Sequence, residues 1–214
     1  MDDEYSIQYG KESVLVSRRY SYNIRLNLLR TALNKKNGYI IDIGSASGDY
    51  SLDLFDISTK IICFDINLKN LKIARNKDNN LSPIYGDAHT LPFKNESIDA
   101  IVIFNAFRYF NNPKYFLNES YRVLKKEGSL ILIEHNKYCP DSLFIKKNVV
   151  YYYSLKQIKR LIQGTNFKIS DEKILFIPPP LKSKCIFKFI LWTGQKIMPA
   201  FEFFYPEFFI HAIK

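Results

Sequence analysis

The chain is poor in cysteine. Its three, Cys63, Cys139 and Cys185, stand far apart, odd in number and in no ligand spacing, which argues against both a disulfide framework and a zinc site. No metal is therefore expected. No uninterrupted apolar run reaches membrane-spanning length, and Met1-Asp2-Asp3-Glu4 does not resemble a secretory signal, so a cytoplasmic location is the expectation. Acidic residues are scarce in the last third. Residues 136–214 hold 13 Lys and Arg against 5 Asp and Glu, whereas residues 1–135 hold 18 against 16. A basic, aromatic end of this kind suits an anionic lipid surface, a nucleic acid or an acidic substrate, and equally a solvated lysine-rich face. At 214 residues, 47% of them apolar, the chain is long enough for one well-cored α/β domain and too short for two large ones.

The most informative stretch runs from Tyr39 to Asp65. Tyr39, Ile40, Ile41 and Ile43 form an apolar run interrupted only by Asp42, and Gly44-Ser45-Ala46-Ser47-Gly48 then breaks it. That pattern reads as a buried parallel strand ending in a tight turn. Leu52, Leu54, Phe55 and Ile57 suggest a short helix, and residues 60–64 form a second strand with Asp65 at its carboxyl end. The unit is β-turn-α-β, which places a nucleoside at the ends of parallel strands. Gly44 is where the backbone leaves the strand to approach a ligand, and Gly48 permits close helix-to-strand contact. Asp65 is spaced to accept hydrogen bonds from ribose hydroxyls.

The middle of the turn separates the candidate ligands. A dinucleotide site wants glycine there so that a pyrophosphate lies against the helix N-terminus, and here Ala46 is followed by the acidic Asp49. An adenosine joined to a zwitterionic amino acid fits better, with Asp42 and nearby carbonyls toward the ammonium and the turn amides toward the carboxylate.

Before this unit, an amphipathic segment from about Tyr20 to Lys36 ends at Gly38 and reads as a helix packed on the sheet or over the ligand. After it, Asn67–Asn76 reads as a helix and residues 82–85 as a third strand. Gly86-Asp87-Ala88 follows, where Asp87 can receive an adenine amine and the Ala88 amide can donate to the ring. Residues 98–104 form the next strand, with Asn105 at its end. A helix over Pro113–Lys126, capped by Gly128, and a strand over residues 129–133 deliver Glu134 and His135 to the same edge.

These motifs occur in register: Asp42 through Gly48, Phe64-Asp65-Ile66, Gly86-Asp87-Ala88 with Leu91-Pro92-Phe93, Ser97 through Ile101, and Tyr121 through Lys125 with Gly128. Together they resemble a class I S-adenosylmethionine-dependent methyltransferase, nearest to the ubiquinone/menaquinone-biosynthesis-like branch, over about residues 38–135. The resemblance implies a doubly wound, seven-stranded, mostly parallel Rossmann-like α/β sheet with helices on both faces and an antiparallel last strand. It implies S-adenosylmethionine as cofactor, with Gly44, Ser45 and Gly48 lining its methionine end and Asp42 behind them. Asp65 would bind the ribose, Ile66 would pack on the adenine, Asp87 and Ala88 would read its edge, and the Asn105 carbonyl would hold the ammonium. Where the family often has a histidine pair, this chain has Phe107-Arg108-Tyr109-Phe110.

Residues 1–214 then read as one domain: a helical cap over 1–37, a cofactor-binding core over 38–135, and a substrate-side part over 136–214. In the last part Tyr138, Phe144 and Tyr151–Tyr153 form an aromatic stretch, and Ser154 caps a helix that stops at Gly164. Residues 167–177 read as a strand, residues 184–198 as an apolar run, and residues 208–213 as the last strand. His135 is the best-placed candidate base and Tyr109 the second candidate catalytic residue. Phe107, Arg108 and Tyr138 are the candidate substrate contacts, with Arg108 at the mouth of an aromatic chamber. A small, lipophilic or anionic acceptor is the leading expectation; a nucleic acid or protein acceptor, or a non-catalytic nucleoside-binding protein of the same fold, is the alternative.

Overall fold

The computed structural model describes residues 16–33, 38–54, 60–138, 151–175, 188 and 207–214. Its apolar runs form one seven-stranded sheet. Strand β1 (Tyr39–Ile43) pairs in parallel with β2 (Lys60–Asp65) on one side and with β4 (Ile98–Phe104) on the other. Beyond them lie β3 (Ser82–Tyr85) and β5 (Leu124–His135), also parallel. Strand β7 (Glu207–Ile213) inserts antiparallel between β5 and β6 (Lys168–Leu175), giving the order β3-β2-β1-β4-β5-β7-β6. The chain thus turns back between β1 and β4, and a doubly wound sheet opens its ligand crevice at that switch point.

Alternation along the strands divides the core in two. Ile40, Ala100, Val102, Ile131 and Ile133 meet Tyr22, Leu26, Leu29 and Leu33 of helix α1 (Val16–Leu33). Ile41, Ile43, Ile101, Ile103 and Leu132 face the other way, toward helices α4 (Pro113–Val123) and α5 (Leu155–Gln163). Helices α2 (Asp49–Leu52) and α3 (Leu68–Lys77) lie on the α1 side, where Tyr50 packs with α1 while Leu71 and Ala74 pack on Cys63. Burial on both faces is why β1, β2 and β4 read as nearly unbroken apolar runs. Each fully buried leucine of α1 contributes about 1.5–3 kcal/mol, so Leu29→Ala is expected to cost roughly 2–5 kcal/mol. None of the described helices is long and apolar enough to cross a membrane.

Polar side chains set the helix starts. Asn67 accepts from the amides of Lys69 and Asn70, and Ser154 forms a reciprocal capping box with Gln157. Two expected helices are shorter than the sequence suggests. α2 ends at Leu52, with Phe55 and Ile57 outside the described residues. α4 ends at Val123 instead of Lys126, because the carbonyls of Arg122 and Val123 accept from the amides of Glu96 and Ser97 and Leu124 is already extended beside Ile98. Gly128 consequently lies within β5 and caps no helix. Residues 1–15, the end of the leading segment over 34–37, Phe144, and the expected run over 184–198, Lys188 excepted, also fall outside the described residues.

Candidate active site

At the carboxyl end of β1 the backbone turns through two glycines with positive φ, Gly44 at 69° and Gly48 at 75°. A Cβ on Gly44 would lie 2.4 Å from the Ala106 methyl, so the turn and the segment after β4 touch where the crevice opens. A Cβ on Gly48 would meet Leu81 at 3.1 Å and Ala74 at 3.3 Å, the close helix approach expected there. The Gly44 amide donates to the Phe64 carbonyl at 2.8 Å, which ties the turn to β2. Asp65 adds a second tie: its Oδ2 accepts from the Ala46 amide at 2.9 Å and its Oδ1 from the Asn67 amide at 2.7 Å. Beside it the apolar Ile66 is 66% exposed.

Asp42 sits lower than the sequence suggests. It is buried under the turn and accepts from the Ser51 hydroxyl at 2.6 Å. Burial pushes its carboxyl up to about 6, with Ser51 pulling it down and Asp65 pushing it up. Ser45 is buried as well; its hydroxyl has no oxygen or nitrogen partner among the described residues and lies beside the Cys63 thiol. Asp49 is partly neutralised, because Lys77 Nζ lies 2.7 Å from its Oδ1. That weakens its expected repulsion of a pyrophosphate and leaves Ala46 as the stronger mark against one.

At the end of β3, Asp87 is exposed and its Oδ1 meets both the amide and Nδ1 of His89, at 2.9 and 2.6 Å. The Asn112 amide donates to His89 Nε2 at 3.3 Å, so the ring proton belongs on Nδ1, pointing at Asp87. Those contacts, the His89 amide first, hold the Asp87 carboxyl below its ordinary value. Ala88 is buried in the adjoining core. His89 carries no motif; its position two residues past Asp87 was the only available signal.

Beyond β4 the chain departs further from expectation. Asn105 has φ 52° and donates its amide to the Ile133 carbonyl, while its side-chain Oδ1 is buried without a partner among the described residues. Residues Phe107–Tyr109 form a 3-10 turn. Phe107 is fully buried against Phe110, Phe116 and Tyr153, so it belongs to the core and lines no chamber. Arg108, expected at a chamber mouth, is 5% exposed. Its Nη2 lies 2.8 Å from Glu134 Oε1, and its amide donates to Glu134 Oε2 at 3.2 Å. Charge burial without a partner is prohibitive, which is why the arginine turns inward to this carboxylate. Burial pushes Glu134 up to about 7 against the pull of Arg108. Among the described residues Arg108 Nε has no partner, nor has the buried hydroxyl of Tyr152, whose ring lies 5.9 Å from the guanidinium. Tyr109, Tyr138 and Tyr151 are exposed at this edge.

His135 ends β5 beside these residues, partly exposed, with Nε2 3.6 Å from Oε1 of the buried Glu207. Glu207 in turn accepts from Arg25 Nε at 2.8 Å and from its Nη2. Arg25 and Glu207 were not singled out in the sequence. The available signal was a charge on the apolar stripe of α1 and another at the head of an apolar strand. No group of three His, Cys, Asp or Glu among the described residues could hold a metal. Of the basic final third, Lys146, Lys147, Lys182, Lys184 and Lys196 lie outside the described residues.

The residues present fit S-adenosylmethionine. Asp65 and Ile66 lie at the end of β2, the Gly44 turn at the end of β1, and Asn105, whose buried Oδ1 has no partner among the described residues, at the end of β4. Comparison with known proteins agrees. Residues 41–132 match the family described as a methyltransferase domain. The chain is 31% identical over 156 residues to a ubiquinone/menaquinone biosynthesis C-methyltransferase of Wigglesworthia glossinidia brevipalpis, covering 67% of this chain and 62% of that one. It is 33% identical over 95 residues to a demethylmenaquinone methyltransferase of Renibacterium salmoninarum, covering 44% and 40%. Among solved structures, a Bacillus halodurans protein described as a putative methyltransferase shares the fold with a TM-score of 0.66 at 19% identity, over 91% of this chain and 99% of that one. The chain thus spans less than two thirds of the length of these curated relatives. With that core built on the strand order and turn described above, residues 41–132 form a methyltransferase domain of the class I S-adenosylmethionine-dependent type, and the chain is similar to the ubiquinone- and menaquinone-biosynthesis enzymes.

Proposed function

We propose that the chain transfers a methyl group to a small, lipophilic acceptor that carries a hydrogen-bond acceptor or anionic oxygen. The observation that carries this reading is the set of buried polar atoms left without partners among the described residues at the edge: Asn105 Oδ1, Arg108 Nε and Tyr152 Oη. Buried polar groups are paired in folded proteins, so unpaired ones in the segment after β4 and beside Arg108 call for a ligand with matching groups. S-adenosylmethionine, when bound, supplies an activated methyl on a sulfonium, and its displacement is in line.

The chain's own contribution is alignment, an effect able to supply roughly 7–11 kcal/mol. Asp65 and the Gly44 turn hold the cofactor, and the inward-turned Arg108 with Tyr152 holds an oxygen of the acceptor. Tyr109, Tyr138 and Tyr151 provide an aromatic wall for its apolar body. His135 takes the proton of an acceptor that must lose one. The quinone-biosynthesis names of the relatives support an aromatic, lipophilic acceptor of this kind.

Turnover with a panel of phenolic and quinol acceptors, read as a mass gain of one methylene in the product, tests the proposal. Methylation of at least one such small acceptor is expected. Transfer only to protein or nucleic acid would overturn it.

A further inference from the structure

The carboxylate just past the end of β3 is gripped through one oxygen. Asp87 Oδ1 accepts from the His89 amide at 2.9 Å and from His89 Nδ1 at 2.6 Å, while Oδ2 meets no donor among the described residues. The backbone donor comes with the turn, and any residue but proline at position 89 would supply it. The ring donor does not. An exposed carboxylate turns broadly about its last side-chain bond, and a single donor leaves its plane free to pivot. Two donors reaching one oxygen from different directions fix that plane and so decide where Oδ2 faces. The ring is itself held from behind: the Asn112 amide donates to its Nε2 at 3.3 Å, the Phe110 ring stands edge-on at 5.8 Å, and the Asn112 side chain caps α4 by accepting from the Tyr115 amide. With Nε2 accepting, a neutral imidazole has its one proton on Nδ1, toward Asp87. The loop does not depend on this bridge. Glu119 Oε2 already accepts from the Leu91 amide at 2.9 Å, and Arg122 donates to the carbonyls of Leu91 and Phe93 at 2.9 and 2.8 Å, so α4 ties the loop without His89. A loop clamp therefore leaves the contact between the His89 ring and Asp87 unexplained.

We propose that His89 is a positioning residue for cofactor recognition: by donating from Nδ1 it fixes the Asp87 carboxylate so that Oδ2 is the oxygen offered to the adenine amine. This rests on the reading of Asp87 as the residue that takes that amine. His89 acts through Asp87, and its effect is on the choice of base. An amine donates to an oriented carboxylate, whereas a base without one leaves that carboxylate unmet, and the better the carboxylate is aimed the larger the difference between the two.

The test is calorimetry on the full chain with S-adenosylhomocysteine and with its purine analogue, which has hydrogen in place of the adenine amine. The wild type is expected to prefer the adenosine ligand about 10- to 100-fold, the worth of a charge-assisted hydrogen bond. His89→Ala should cut that preference about 2- to 10-fold, the net worth of one hydrogen bond, and leave affinity for the purine analogue within error. His89→Asn, whose amide nitrogen can stand near the place of Nδ1, should restore the preference. His89→Gln, whose oxygen can stand near the place of Nε2, should not. Restoration by Gln and not by Asn would reduce the ring to a tie to Asn112, and an equal loss of both ligands in His89→Ala would reduce it to a loop support; either overturns the positioning role. So does an unchanged preference in His89→Ala where Asp87→Ala abolishes it. A wild type without preference, or an Asp87→Ala variant that keeps it, overturns instead the reading of Asp87 as the partner of the amine, so the two failures are told apart.

Discussion

Asp65 Oδ2 accepts a hydrogen bond from the Ala46 amide, so the carboxylate that ends β2 is fastened to the turn that ends β1. One residue thereby shapes the turn and, in the function proposed above, also takes the ribose of the cofactor. Asp65→Ala should remove a charge-assisted hydrogen bond worth about 1.5–3 kcal/mol and loosen the turn as well. The expected result in calorimetry is a loss of S-adenosylmethionine affinity of about ten- to hundredfold or more. Wild-type affinity in this variant would contradict the role given to Asp65.

Gly44→Ala tests the turn from the other side. A methyl there would lie 2.4 Å from the Ala106 side chain on a backbone with φ 69°, a region that costs a non-glycine residue about 1–2 kcal/mol before any clash. A lower melting temperature together with lost cofactor binding is expected. If the variant bound the cofactor normally, the close approach of the β1 and β4 ends would be dispensable.

The buried pair of Arg108 and Glu134 predicts a distinctive pattern of variants. Arg108→Ala leaves Glu134 buried and unpaired, a situation that costs about 3–5 kcal/mol, so stability should fall along with acceptor use. Arg108→Met combined with Glu134→Gln should recover most of that stability, as seen by thermal melting, without recovering turnover. Recovery of both would reduce Arg108 to a structural role.

A pH prediction follows from Asp42. Its carboxyl is raised from 3.8 to about 6, so between those values the folded chain keeps a proton that the unfolded chain has lost. Stability therefore falls as pH rises from about 4 to about 6 and levels off above. Glu134, raised from 4.5 to about 7, adds a fall of the same sign over a higher window. Melting temperature against pH should show this decline in the wild type, and Asp42→Asn should flatten its lower part. An identical slope in Asp42→Asn would refute the assignment.

The sheet and the cofactor turn were legible in the sequence because both are local. The apolar runs of β1, β2, β3 and β4 carry their own period and punctuation, and Gly44 through Gly48 announces a turn without reference to any other segment. The acceptor side was not legible in the same way. Arg108 reads as a surface charge until Glu134, 26 residues later, comes to lie beneath it. The end of α4 is decided by amides of Glu96 and Ser97, from the loop before β4. Arg25 and Glu207 each break an apolar pattern, but only the fold reveals that the two breaks answer each other.

Those two residues are 182 positions apart, and β7 enters the sheet between strands made earlier. During synthesis β5 must wait with one edge unsatisfied until residues 207–213 have left the ribosome. The order of translation therefore delays β7 until the other six strands of the sheet exist. An exposed strand edge is the usual seed of aggregation, and a large sequence separation slows closure. The β5 edge of the nascent chain is thus open in the interval before β7 appears, and it is in that interval that a chaperone would have the most to protect.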